Sequence, residues 1–420
     1  MSGERRIVVT GLGAVSSVGN NVNDSWNSLL SGRSGVSTIT KFDASALRCH
    51  VAGEIKGIVL DSCLTPKEQK RLDPFCHFAV VAADEALRDA GIIGSEGVVP
   101  NAGIEPERFG VLVSSGIGGL GSITDQVKVM ESRGDDRVSP MLVPMMIADM
   151  ASGFLAIRYG FRGPNFGIVS ACASGLHSIG EAFWIIRRGD ADCMLAGGAE
   201  AGVVHIGHAG FSSMHALSER NDDPETASRP FDRDRDGFVP AEGAGVLVLE
   251  EEQHAKRRGA KIYAEVVGYG LSADAYHITA PREDALSSSA AIKNAFRCAG
   301  LPYDALSYIN AHGTSTPMND KCETAAIKLV LGEKAYKTAI SSTKSMTGHM
   351  LGAAGGFESV VCVKAIETSC VPPTINQFTS DPDCDLDYVP NKMREMPVNL
   401  ALNLNFGFGG HNAAVLFSKY

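Results

Sequence analysis

The chain predicts an α/β fold, on three observations. Apolar runs of strand length alternate with segments of helical periodicity from end to end. Glycine is abundant, 46 residues in 420, which suits many tight strand-to-helix turns. No Gly/Ser- or Pro-rich linker interrupts the chain, so its units pack together and are not tethered apart.

In chain order, strands are expected at Arg6–Thr10, Phe109–Ser114, Phe166–Ser170, Met194–Gly197 and Ala244–Glu250. The second half adds Ile262–Gly268, Ser307–Ala311, Ala339–Ser342, Ala401–Asn405 and Ala413–Phe417. Helical patterning falls near Pro74–Ala90, Ser174–Arg188, Ser287–Cys298, Lys321–Leu331 and Phe357–Thr368. A break near residue 255, after Glu250-Glu251-Glu252, divides the chain into halves of comparable type, 1–255 and 256–420.

The formal net charge of -10 argues against broad nucleic-acid or anionic-membrane binding. No apolar run reaches the roughly 18 residues that span a bilayer, and the N-terminal stretch lacks a signal-peptide core. Ten cysteines are scattered without a CxxC pair, as in a reduced, intracellular protein with no disulfide framework and no cysteine-based zinc site.

One pattern recurs. A β-run ends in a reactive side chain, small residues follow, and a helix begins: in "GIVSACASG", in "YINAHGTSTP" and in "AISSTKSMTGHMLGAAGG". Ligands bind at such strand ends in open α/β sheets. Cys172 would then meet the unsatisfied N–H groups and positive pole of a helix N-terminus, which favour thiolate, and its own N–H could stabilise an oxyanion. His312 and His349 end two other runs, with Lys344 five residues before His349. Gly348, Gly352, Gly355 and Gly356 would leave room for substrate along the backbone, or else simply pack a turn. One thiol with two imidazoles is the combination that covalent acyl chemistry requires.

Four competing signals fail on detail. "FDRDRDGFVPAEG" spaces Asp232, Asp234 and Asp236 like a calcium loop, but Gly243 stands where the bidentate acid belongs, so a charge-paired loop is expected. "GLGAVSSVG" has Ser16 in place of the third glycine of a dinucleotide fingerprint. Leu176 breaks a nucleophile elbow around Ser178. His205, His208 and His215 have no nearby cysteine to complete a metal set.

Taken together, "SACASG", "NAHGTSTP", "STKSMTGHMLGAAGG" and "NFGFGGHN" resemble the elongating type I/II β-ketoacyl-acyl-carrier-protein synthases of bacterial and plastid fatty acid synthesis. The likeness runs nearly end to end, through "RNDDPETASRPFDRDRDGFV", "DAYHITAP" and "PPTINQF". It implies the thiolase-like fold, with two similar halves of layered mixed sheets and helices, usually in a homodimer. It implies that Cys172 takes an acyl chain from acyl-ACP, and that His312 and His349 hold the enolate of decarboxylating malonyl-ACP. Lys344 and Glu358 match supporting residues, Thr314 and Thr316 the hydroxyls that bind the phosphopantetheine arm. Phe408 matches a gate whose N–H completes an oxyanion hole, and Ile117 a residue of the acyl tunnel. No metal or organic redox cofactor is implied; the substrates carry the phosphopantetheine.

Carrier docking is expected at Lys67, Lys70 and Arg71, although Asp136-Arg137 and His215 depart from the basic residues common in relatives. The expected setting is cytoplasmic, or the stroma of a plastid or another organelle once a transit peptide is removed, with type II organisation ahead of type I. A thiolase-type acyltransferase and a non-catalytic chain-length subunit are the alternatives. The first expects a second catalytic cysteine near "FGFGGHN", which has none; the second expects the nucleophile to be replaced, and Cys172 is present.

Overall fold

The computed structural model describes residues 5–94, 97–98 and 102–420. Its frame is nine strands: β1 (Ile7–Val15), β2 (Phe109–Ser114), β3 (Cys193–Glu200), β4 (Gly243–Glu251), β5 (Ala264–Ala273), β6 (Tyr308–Asn310), β7 (Ala339–Ser341), β8 (Leu400–Gly407) and β9 (His411–Ser418). They form one mixed sheet in the order β7-β6-β8-β9-β5-β1-β4-β3-β2. The first half supplies β1–β4 and the second β5–β9. The halves join where Ile7, Val8 and Val9 pair antiparallel with Val266, Glu265 and Ala264.

Five helices matter for the site: α1 (Pro74–Asp89), α2 (Ser174–Arg188), α3 (Leu286–Ala299), α4 (Pro317–Leu331) and α5 (Ala354–Thr368). α2 and α5 pack against each other and against strands of both halves, forming a middle layer. Leu176, Ile179 and Phe183 of α2 share one core there with Phe357 and Val361 of α5. α1 covers the first half of the sheet through Phe75, Ala79 and Ala86, and α3 and α4 cover the second through Ile292, Phe296 and Ile327.

Local chemistry sets these boundaries. α1 opens on Asp73, whose carboxylate accepts the Phe75 N–H, with Pro74 at the first helical position. α2 stops at Gly189 in the left-handed conformation. The glycines of "GLGAV" serve packing: a Cβ at Gly13 would stand 1.8 Å from the Ala82 carbonyl oxygen of α1, and one at Gly11 2.2 Å from that of Ala86. That close approach, with no phosphate involved, is why β1 carries G-x-G.

Most expected elements exist with shifted ends. One does not: Phe166–Ser170 is irregular. Only Asn165 makes a single parallel bridge, to Val111 of β2. Phe166 and Val169 are 44% and 62% exposed, so two side chains of the apolar run that reads as a buried strand turn outward, while Ile168 between them packs against the core. Among the described residues no helix is long and apolar enough to cross a membrane.

Candidate active site

Cys172 sits in a 3-10 turn, Ala171–Ala173, that leads directly into α2. Ala171 is held at φ 51°, a strained value for a residue with a Cβ. The turn is anchored from outside: the end of β8 lies so close that a Cβ on Gly407 would stand 2.5 Å from the Ser170 carbonyl oxygen.

His312 follows β6. Glu323 of α4 accepts its N–H and that of Gly313, each at 2.7 Å, which fixes the backbone under the ring. His349 is held by its N–H to the Val239 carbonyl at 2.7 Å. The two rings meet edge to face, 5.3 Å between centroids, and the edge of Phe238 backs His349 at 5.4 Å.

Cys172, His312 and His349 line one cavity of about 430 Å³. Thr314, Thr316, Phe408 and Ile117 line it too, with Thr314 and Thr316 hydroxyls 2.9 Å apart. Ile117 packs with Phe211, Phe238 and Leu351 in the apolar cluster that contains Cys172. The backbone N–H groups of Phe408 and of Cys172 itself lie against the sulfur and pull toward its thiolate.

The hydrogen bonds assign the imidazole tautomers. Asn405 Nδ2 donates to His312 Nδ1 at 3.4 Å, and the Leu351 N–H donates to His349 Nδ1 at 3.3 Å. Both Nδ1 atoms are acceptors, so both protons reside on Nε2. Burial and the nearby Lys344 ammonium drive both imidazoles well below their ordinary range, so they are neutral at pH 7. Lys344 is itself buried and ion-paired to Glu358, whose other oxygen accepts from Asn405 at 2.7 Å. Lys344, Glu358, Asn405 and His312 thus form one connected array.

The sulfur departs from expectation. Burial pushes the Cys172 thiol up to about 12, against the pull of Lys344. A helix end contributes about 0.3–2 kcal/mol, too little to offset the desolvation of a sulfur in a residue 9% exposed. Cys172 therefore rests as a thiol, not a thiolate. The glycines after His349 also read differently in space. A Cβ at Gly352 would meet the Gly116 nitrogen at 2.3 Å, and one at Gly356 the Gly245 carbonyl oxygen at 2.2 Å. Protein fills that room, not substrate.

Lys67, Lys70 and Arg71 are exposed on and just after the short helix Pro66–Gln69, outside the cavity lining. His215 does line the cavity, and its Nδ1 accepts from Arg48 at 2.8 Å, so a cation stands beside the lining here although residue 215 is not arginine. The charge pairing expected within "FDRDRDG" holds for one acid: Asp234 pairs with Arg233, whereas Asp232 accepts the Phe378 and Thr379 N–H groups, each at 2.7 Å, and Arg235 pairs outside the loop with Asp320 and Asp381. Sequence reasoning missed Glu200, the last residue of β3. It accepts from Ser115 at 2.6 Å, the Gly116 N–H at 2.8 Å and the Gly352 N–H at 3.0 Å, and burial pushes its carboxyl up to about 7. Only an acid closing an otherwise apolar strand signalled it.

Comparison with known proteins agrees with this geometry. The Beta-ketoacyl synthase, N-terminal domain model matches residues 4–255, and the Beta-ketoacyl synthase, C-terminal domain model matches residues 263–378. The 3-oxoacyl-[acyl-carrier-protein] synthase 2 of Synechocystis sp. is 51% identical over 99% of both chains, and that of Staphylococcus aureus (strain COL) 47% over the whole of both. Among solved structures, a ketosynthase in complex with its type II polyketide acyl-carrier protein superposes with a TM-score of 0.90 at 36% identity, covering 99% of this chain and 100% of that one. A Beta-ketoacyl synthase from Burkholderia phymatum STM815 gives 0.90 at 33%, with the same coverage. The α/β architecture is the thiolase-like one, and the chain belongs to the β-ketoacyl synthase family.

Proposed function

We propose that this protein elongates fatty acyl chains by a decarboxylating Claisen condensation, with acyl-ACP and malonyl-ACP as its substrates. The observation that carries the reading is the shared cavity, where one thiol faces two neutral imidazoles, each with its proton on Nε2.

The Cys172 sulfur attacks the acyl thioester. The thiol proton leaves as the new C–S bond forms and ends on the departing pantetheine sulfur. The N–H groups of Cys172 and Phe408 receive the tetrahedral oxyanion. Malonyl thioester then loses carbon dioxide, and the electron pair of the broken C–C bond delocalises onto the thioester oxygen. His312 and His349 donate to that oxygen from Nε2. Each such donor is worth about 2.7–4 kcal/mol in a transition state. The enolate carbon attacks the acyl-enzyme and β-ketoacyl-ACP forms two carbons longer, while Cys172 is expelled as thiolate and takes one proton from solvent to regain its resting thiol. Burial, with the Lys344 ammonium beside them, keeps the rings neutral, so they act as N–H donors and do not titrate. The charge that develops is met by N–H groups, and the reading calls for no metal or redox cofactor.

Thr314 and Thr316 suit the phosphopantetheine arm, Ile117 and Phe211 the acyl chain. Exposed Lys67, Lys70 and Arg71, with Arg48 beside His215, suit an acidic carrier. Homodimerisation is supported by the segment 142–169, which leaves Val143, Ile157, Phe166 and Val169 exposed. The ten free cysteines suit a reduced compartment, the cytoplasm or an organelle stroma.

Incubation with acyl-ACPs of graded length, followed by intact-protein mass spectrometry, tests the reading. One acyl adduct per chain is expected, and none on Cys172→Ala. An adduct that survives this substitution would sink the assignment.

A further inference from the structure

His177, five residues past the nucleophile, takes no part in the chemistry above, yet both edges of its ring are occupied. Nδ1 meets the Ser170 hydroxyl at 2.6 Å, and the opposite edge faces the Asn412 backbone carbonyl. A carbonyl only accepts, which places the proton on Nε2 toward it and leaves Nδ1 to accept from Ser170. Burial pushes the imidazole down to about 4, which leaves it neutral and able to serve both neighbours at once.

The two partners belong to the two segments that surround the sulfur. Ser170 opens the nucleophile turn: its carbonyl accepts the Ala173 N–H at 3.1 Å, and its N–H donates to Ser174 Oγ at 2.9 Å. Asn412 stands just beyond the Gly407–Gly410 turn that carries Phe408, and its side chain is fixed on Asp274 at 2.7 Å. One segment supplies the Cys172 N–H, the other the Phe408 N–H. His177 is the side chain that bridges them.

We propose that His177 is a positioning residue for acyl transfer, tying Ser170 to Asn412 and so fixing the spacing of the two N–H donors about the Cys172 sulfur. The role rests on the acyl-transfer reading above. It predicts an asymmetry: the first half-reaction depends on this spacing, whereas malonyl decarboxylation depends on His312 and His349, which His177 does not touch.

The test follows pre-steady-state acyl loading from acyl-ACP, malonyl decarboxylation and thermal unfolding, on intact wild-type and variant proteins. His177→Ala should slow loading about tenfold, the size of one net hydrogen bond, with decarboxylation within about twofold of wild type. His177→Gln, with one acceptor and one donor, should recover most of the rate. Ser170→Ala should lose part of it, and adding it to His177→Ala should cost nothing further, since the two act through one bond. Wild-type loading by His177→Ala overturns the role alone. So does a parallel fall of both half-reactions with the melting temperature in Ser170→Ala and His177→Gln. Failure of the wild-type protein to load overturns the acyl-transfer reading, and this role with it.

Discussion

Two turns of this molecule are near copies, and only one bears a nucleophile. Ala171–Ala173 leads into the 15-residue α2, and Leu351–Ala353 leads into the 15-residue α5. Each opens on a residue at positive φ, 51° at Ala171 and 48° at Leu351. The middle residue differs: Cys172 in one, Gly352 in the other. A Cβ at Gly175 of α2 would stand 2.7 Å from the Gly352 carbonyl oxygen, so the turns sit against each other. The first is open on its outer side, where the cavity begins. The second is filled by Glu200 and the 115–117 backbone. In the second half the reactive side chain moves three residues upstream, to His349, whose tautomer the turn itself sets through the Leu351 N–H. The same backbone device presents a thiol in one place and orients an imidazole in the other.

The largest expected effect comes from removing what the second turn orients. His349→Ala should keep acyl loading and lose about 10²–10³-fold in malonyl decarboxylation, measured as carbon dioxide release. Equal losses in both steps would dissolve the division of labour between the turns. Gly352→Ala should then show that the second turn has no room for a side chain: a Cβ there runs into backbone, and a stability loss of about 3 kcal/mol is expected from denaturant unfolding.

Glu200 sharpens the contrast through pH. Its folded carboxyl is raised to about 7 from an ordinary 4.5, so the folded state binds the proton more tightly. Stability from this group is fully present below pH 4.5 and is lost as pH rises through 7. Wild type should lose about 3 kcal/mol relative to Glu200→Gln between pH 4.5 and 8, read from paired unfolding curves. A flat difference would remove the buried charge from beneath the second turn. The smallest effect belongs to Ala171→Gly. Relief of the left-handed strain, about 1–2 kcal/mol, is offset by the added chain entropy of about 0.5–1 kcal/mol. Stability should rise by at most about 1.5 kcal/mol, while acyl loading slows as the turn loosens.

The sequence made Cys172 and His312 legible because each closes an apolar run, whereas His349 follows the short helix Lys344–Thr347, not a strand, and stood out by its glycine-rich surroundings. Alternation of elements was enough for the α/β class, and motif likeness for the thiolase-like fold. Phe166–Ser170 misled because apolar composition marks a side chain that avoids water, not the neighbour that excludes it. Glu200 was missed for a related reason. Its partners, Ser115 and Gly116 just after β2 and Gly352 in the second half, lie far away in the chain, and no local spacing encodes contacts across that distance. The thiol was misjudged because a helix end is local and readable, whereas burial is global and stronger.

The join between β1 and β5 has a consequence for how such a chain can be inherited. Three rungs of pairing knit two similar halves into one sheet, and the thiol lies on one side of the join, both imidazoles on the other. Neither half alone can be a working unit for selection. A recombination event near residue 260 yields an active hybrid only when the incoming half restores the Val8–Glu265 register and returns its rings to within reach of the sulfur.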